Sequence, residues 1–103
     1  MSAIPYTISG SLTLQEKTTF SAGTTGNQTA NTMTGNIRIA AAGTTVTVTN
    51  SLVTSTSVIM CTLATADANN TVLKSCVPGN GSFVITLFTA PAAEVNINWV
   101  VFN

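Results

Sequence analysis

The sequence has no histidine and few charged residues, and these two absences limit the chemistry that its side chains can carry out. Three basic and three acidic residues give a formal net charge of zero, and charged side chains make up 6% of the chain, against roughly 25% in an ordinary soluble domain. Without a basic patch, the main source of nucleic-acid affinity is missing. Without histidine, and with carboxylates only at Glu16, Asp67 and Glu94, the usual acid–base pairs and metal shells are not expected. The sequence therefore predicts a protein that is not an enzyme and that takes no cofactor, metal or nucleic acid.

Long apolar runs and targeting features are missing as well. The N-terminal stretch MSAIPYTISG has no charged region followed by an apolar run, which a secretory signal would need. The longest apolar stretches have the length of a strand and fall well short of the ~20 residues of a membrane-spanning helix. We therefore expect no membrane association. We also expect the protein to be made in a cytoplasm without export, where Cys61 and Cys76 would be thiols by default.

What the sequence does have is strand-like alternation along most of its length. Segments 45–49, 82–88 and 95–102 alternate in the way of half-buried strands, and no segment carries an apolar stripe at helical spacing. About eight short strands, separated by Gly, Pro or Asn, predict a single all-β domain over residues 1–103. We expect a β-sandwich of jelly-roll type with antiparallel strands, and a small β-barrel is the alternative.

The alternation also predicts which aromatic residues form the core. Trp99 shares its face of the last strand with Ile97 and Val101, which favours burial, and Phe83, Phe88 and Phe102 are assigned to the core on the same reasoning. The opposite face of this strand becomes apolar towards its end, so we expect the strand to be covered on both sides there.

Two segments are predicted to lie outside the core and to contact other molecules. Residues 1–10 form an N-terminal arm, and residues 21–33, which are rich in Thr, Asn, Gly and Ser, form an exposed polar loop. The predicted interface residues are Ser2, Ala3, Ile4, Pro5, Tyr6, Thr7, Thr24, Thr25, Asn27, Thr29 and Asn31.

The two cysteines are predicted to face each other in a hairpin. Segments 58–64 and 71–77 flank a polar turn at 67–70, and a four-residue loop there fixes the register of the two strands. This register places Cys61 opposite Cys76, with Cβ atoms about 4.5–5.5 Å apart. Because that separation is slightly long for a disulfide, we favour two reduced thiols packed side by side and keep the disulfide as the alternative.

The last sixty residues resemble a family of virion proteins. The segments that carry the resemblance are TNSLVT at 49–54, GSFVITL at 81–87 and the closing NWVVFN at 98–103. In this order they resemble the small β-rich structural proteins of tailed bacteriophages, which include head decoration or cement proteins and tail-fibre tip domains. The resemblance implies a virion component that has no catalytic residues and is made in the host cytoplasm.

Within that family, the length of the chain favours a decoration protein on the capsid surface. A tail fibre needs an attachment region and a shaft, for which 103 residues leave no room. We therefore expect a homo-oligomer, a dimer or a trimer at a symmetry axis, that bridges subunits of the major capsid protein and stabilises the assembled head. The alternative is a receptor-binding protein of the tail tip or tail fibre. A cellular adhesin would need an export route that the sequence does not show.

Overall fold

The computed structural model describes residues 17–69 and 71–103, and their regular elements are eight β-strands. These are β1 (Lys17–Thr18), β2 (Gln28–Thr29), β3 (Thr34–Ile39), β4 (Thr45–Thr49), β5 (Val58–Leu63), β6 (Leu73–Gly79), β7 (Ser82–Leu87) and β8 (Val95–Phe102). The all-β class and the number of strands are therefore confirmed. The described residues include no helix with the length and hydropathy needed to cross a membrane.

The strands form two four-stranded sheets, which makes the fold a sandwich rather than a barrel. Sheet A has the strand order β1-β3-β8-β5, and sheet B has the order β2-β4-β7-β6. From β1 to β6 the chain passes to the other sheet after every strand, whereas β6 and β7 form a hairpin within sheet B. The long ladders are nested along the chain, because the paired strands β4 and β7 lie between the paired strands β3 and β8 in sequence. This nesting is the jelly-roll-like part of the fold.

Two strand pairs run parallel, whereas the sequence predicted antiparallel strands. The two-residue strand β1 runs parallel to β3, and the two-residue strand β2 runs parallel to β4. A single strand of the opposite sheet separates the members of each pair along the chain, and the second member runs in the direction of the first. Parallel neighbours need a crossover connection of this kind.

The core lies between the sheets and is built from the inward face of each long strand. Its largest buried side chains are Trp99, Phe83, Ile37, Ile85 and Ile97. The rings of Phe83 and Trp99 meet edge to face across the two sheets, with centroids 5.2 Å apart. The core assignment of Phe88 and Phe102 is wrong, because these side chains are 71% and 48% exposed. Both rings lie one position away from an inward-facing residue, and strand alternation directs them outwards.

A glycine on β3 makes room for the tryptophan. Gly35 is the ladder partner of Trp99, and a Cβ atom added at Gly35 would lie 2.6 Å from Cζ2 of the indole and 2.6 Å from the carbonyl oxygen of Thr18. The close approach of the indole and of β1 therefore requires glycine here. The buried Nε1 of Trp99 has no hydrogen-bond partner among the described residues.

Candidate interaction surfaces

The outer face of sheet A carries a cluster of apolar side chains at one end. In the β5–β8 ladder, Val58 lies opposite Phe102 and Met60 lies opposite Val100. Val58, Met60 and Phe102 are 58%, 60% and 48% exposed, and Val100 is half-buried. These four residues form a two-by-two block on adjacent strands, which we call the sheet A patch.

The sheet A patch ends where the outward positions of both strands become polar. The next outward pair along the ladder is Thr62 and Asn98, followed on β8 by Asn96. The sequence predicted that the C-terminal end of β8, which carries Val100 and Phe102, is covered on both sides. In the described residues the inner side is buried, whereas the outer side is open to solvent.

The outer face of sheet B carries apolar residues that polar side chains divide. Val77 lies opposite Val84, and the next outward pair is Ser75 and Thr86. Beyond this polar pair, Phe88 donates its backbone N–H to the carbonyl oxygen of Val72 at 2.9 Å, and the two side chains are 71% and 52% exposed. Sheet B therefore presents two separate apolar pairs instead of one continuous block.

The predicted exposed loop at residues 21–33 is joined to sheet B. It contains β2, and the buried Ala30 donates its backbone N–H to Thr49 at 2.8 Å. The side-chain oxygens of Asn27 and Asn31 accept hydrogen bonds from the backbone N–H groups of Thr47 and Ser51, at 2.8 and 2.9 Å. These amides satisfy backbone donors at the edge of sheet B, a role that the Thr- and Asn-rich composition did not reveal.

Five of the predicted interface residues lie in the described part of the chain, and all five are at least partly exposed. Asn27, Thr29 and Asn31 are exposed, whereas Thr24 and Thr25 are half-buried. The residues of the predicted arm, Ser2 to Thr7, lie outside the described part of the chain.

A shallow depression lies beside β2 at the edge of sheet B. It has a volume of about 400 Å³ and is lined by Asn27, Gln28, Thr29 and Thr49. The lining offers amide and hydroxyl groups and no ionisable side chain, so its chemistry is restricted to hydrogen bonding.

The charged side chains on sheet A hold the chain segment that follows β1. Nη1 of Arg38 donates to the carboxylate of Glu94 at 3.1 Å, with the two side chains 22% and 26% exposed. Nε of Arg38 also donates to the carbonyl oxygen of Phe20 at 2.9 Å, and Glu94 accepts the backbone N–H of Gly23 at 3.0 Å. The ion pair thus holds residues 20–23 against the outer face of the sheet.

A buried amide network extends this contact. Oδ1 of Asn36 accepts the backbone N–H of Phe20 at 2.6 Å, and Nδ2 of Asn36 donates to the Phe20 carbonyl oxygen at 2.9 Å. The same Nδ2 donates to Oδ1 of Asn96 at 2.6 Å. Asn36 points outwards from sheet A and is nevertheless only 4% exposed, because the segment at Phe20 covers it.

Asp67 holds two loops together. Its carboxylate accepts hydrogen bonds from the backbone N–H groups of Asn69 and Ala92 and from the hydroxyl of Thr71, at 2.9, 3.0 and 3.0 Å. Desolvation acts to raise the pKa of Asp67, but these bonds and one from Ala93 outweigh it, so the pKa lies below its ordinary value of 3.8. Nowhere in residues 17–69 and 71–103 do three or more His, Cys, Asp or Glu residues form a potential metal site.

Cys61 and Cys76 meet although the predicted hairpin does not form. β5 pairs with β8 in sheet A, and β6 pairs with β7 in sheet B, so the hairpin between segments 58–64 and 71–77 is wrong. Dividing these segments between the sheets lets Ile59 and Leu73 pack against one common core. The two Sγ atoms nevertheless lie 3.0 Å apart, because β5 and β6 are the edge strands on the same side of the sandwich.

Comparison of the chain with protein-family models, with curated proteins and with solved structures found no significant match. The resemblance to phage structural proteins therefore stays a prediction that rests on the three sequence segments quoted above.

Proposed function

We propose that this protein is a non-catalytic structural component that works by contact, and that the sheet A patch is its main contact surface. The observation that carries the proposal is the exposed block of Val58, Met60, Val100 and Phe102 on one sheet face. A contiguous exposed apolar patch marks an interaction site in soluble proteins. On a sheet it also offers a flat surface that a second protein can cover.

The proposed setting is the head of a tailed bacteriophage. There the protein would form dimers or trimers and bridge subunits of the major capsid protein, so that binding to the assembled shell favours the assembled state. Two properties support this setting. A surface with few charges is cheaper to desolvate than an ordinary one, and a net charge of zero gives little repulsion between copies packed side by side.

A receptor-binding protein of the tail tip or tail fibre is the second candidate. The observation that favours it is the depression beside β2, because its amide and hydroxyl lining suits hydrogen bonds to a hydroxyl-rich ligand such as a host glycan. A protein of this kind would be present in few copies per particle, whereas a decoration protein would be present in hundreds.

Copy number in purified particles tests both candidates. Phage particles that encode this chain would be purified, and its molar ratio to the major capsid protein would be measured by quantitative mass spectrometry. We expect a ratio that corresponds to hundreds of copies per particle. A ratio of a few copies would favour the tail-tip role, and the absence of the protein from the particles would contradict both.

A further inference from the structure

The two sheets approach each other at β5 and β6 without a backbone ladder between them. Among residues 17–69 and 71–103, β5 is the edge strand of sheet A, β6 is the edge strand of sheet B, and each is paired only with its inner neighbour. Cys61 on β5 and Cys76 on β6 bring their sulfur atoms to 3.0 Å from each other across this opening. The thiol pair is therefore a direct side-chain contact between the two edges.

We propose that Cys61 and Cys76 form an oxidation site, at which a small-molecule disulfide such as glutathione disulfide converts the two thiols into a disulfide that joins the sheets. The sulfur atoms are about 1 Å farther apart than in a disulfide, whose S–S bond is about 2.05 Å long. Small rotations about the two Cα–Cβ bonds can close a gap of this size. The site joins sheet to sheet, unlike the cross-strand pair within one hairpin that the sequence predicted.

The surroundings of the two sulfur atoms suit this reaction. Both cysteines are half-buried, so their side chains are partly accessible to a small disulfide. The S–H group of Cys61 donates to Sγ of Cys76, and this hydrogen bond raises the pKa of Cys61 and lowers the pKa of Cys76. Cys76 is therefore the first nucleophile of the pair, since the thiolate is the reactive form.

The reaction proceeds by two thiol–disulfide exchanges. The Cys76 thiolate attacks one sulfur of glutathione disulfide, which forms a mixed disulfide and releases the first glutathione as a thiolate. Cys61 then loses its proton to that thiolate or to water and attacks Sγ of Cys76, which releases the second glutathione. Two protein thiols are oxidised by two electrons in total, and one glutathione disulfide is reduced to two glutathione molecules.

The position of Lys74 makes the product easy to identify. Trypsin cleaves after Lys17, Arg38 and Lys74, so Cys61 and Cys76 fall on different peptides, 39–74 and 75–103. After incubation of the full chain with glutathione disulfide, we expect an intact mass lower by two hydrogen atoms. We also expect a tryptic product in which these two peptides are linked, and their separation on reduction.

Thermal unfolding gives a second readout. The two cysteines are 15 positions apart in the chain, and closing a loop of that length by a disulfide should raise the unfolding midpoint of the oxidised protein by about 14 °C. The single variants Cys61→Ser and Cys76→Ser are the controls, and we expect neither to gain an oxidant-dependent rise.

Three results would overturn the proposal. They are complete alkylation of both cysteines in denaturant after oxidation, stable glutathione adducts on the wild-type chain, and a disulfide that joins two chains instead of two peptides of one chain. The mass and peptide measurements use the wild-type protein, so they decide the question even where a serine variant fails to fold.

Discussion

At Gly35 the β3 backbone, the Trp99 indole and the carbonyl group of Thr18 come so close that a methyl group has no room. We expect Gly35→Ala to lower the free energy of unfolding by about 1–3 kcal/mol, the usual range for overpacking a well-packed core. Gly79→Ala is the matched control, because a Cβ atom there meets nothing nearer than Ser82 at 3.7 Å. Chemical denaturation of both variants measures the difference, and equal stabilities would contradict this account of Gly35.

Asp67 should make the stability depend on pH in the acid range. Its pKa in the folded protein is lower than its ordinary value of 3.8, so its stabilising effect is fully present above pH 3.8 and is lost as the pH falls through the folded pKa. We expect the wild-type unfolding midpoint to fall in this range more steeply than that of Asp67→Asn. Thermal melts between pH 6 and pH 2 provide the comparison, and parallel curves for the two proteins would refute the role of this carboxylate.

Individual residues show how far alternation alone can predict burial. Phe83 and Trp99 were assigned correctly, because every second residue of their strands is apolar and one face had to form the core. Phe88 and Phe102 were assigned wrongly, since each lies one position away from an inward-facing residue and therefore points outwards. The roles of Asn27, Asn31 and Asn36 were not predictable in this way, because each depends on a backbone group far away in the sequence.

At the scale of elements, the buried side chain of Asn36 is one of three that hold the segment after β1, together with Arg38 and Glu94. Asn36→Ala would remove the acceptor of the Phe20 N–H group and the donor to Oδ1 of Asn96, while the Phe20 carbonyl oxygen would keep its bond from Arg38. Because buried polar groups would be left unsatisfied, we expect a loss of about 1–3 kcal/mol in the free energy of unfolding. Asn98→Ala is the matched control on the outer face of the same sheet, where the Asn98 side chain is exposed, and a change below ~0.5 kcal/mol is expected.

Amide hydrogen exchange can localise this effect. We expect Asn36→Ala to speed the exchange of the Phe20 amide, while the β4–β7 ladder keeps its protection. Unchanged protection at Phe20 would show that the segment is held by other contacts.

The strands themselves were predictable, whereas their partners were not. Local alternation depends only on neighbouring residues, so the six longer strands could be found from the sequence. Pairing depends on which faces can be buried together, and the hairpin predicted for segments 58–64 and 71–77 assumed that strands close in sequence must pair. The sandwich instead divides them between its sheets, and β1 and β2 are too short and too polar to give a periodic signal.

For the molecule as a whole, we expect substitutions in the sheet A patch to weaken binding of the protein to its partner. If the proposed function is correct, Phe102→Ser should reduce binding to assembled shells at least tenfold, which corresponds to about 1.4 kcal/mol. Phe88→Ser is the matched control, because Phe88 is even more exposed but lies on sheet B, outside the patch. Co-sedimentation of each variant with shells that lack the protein measures the effect, and equal binding of both variants would exclude the patch.

The only tryptophan of the chain lies at the boundary between the two sheets, in contact with Phe83 of the opposite sheet. Its indole is 1% exposed, so its fluorescence should be blue-shifted in the folded protein and should move to the red when water enters between the sheets. The protein therefore contains its own optical probe for the opening of the sandwich, and a stopped-flow trace at one wavelength can time that opening without any added label.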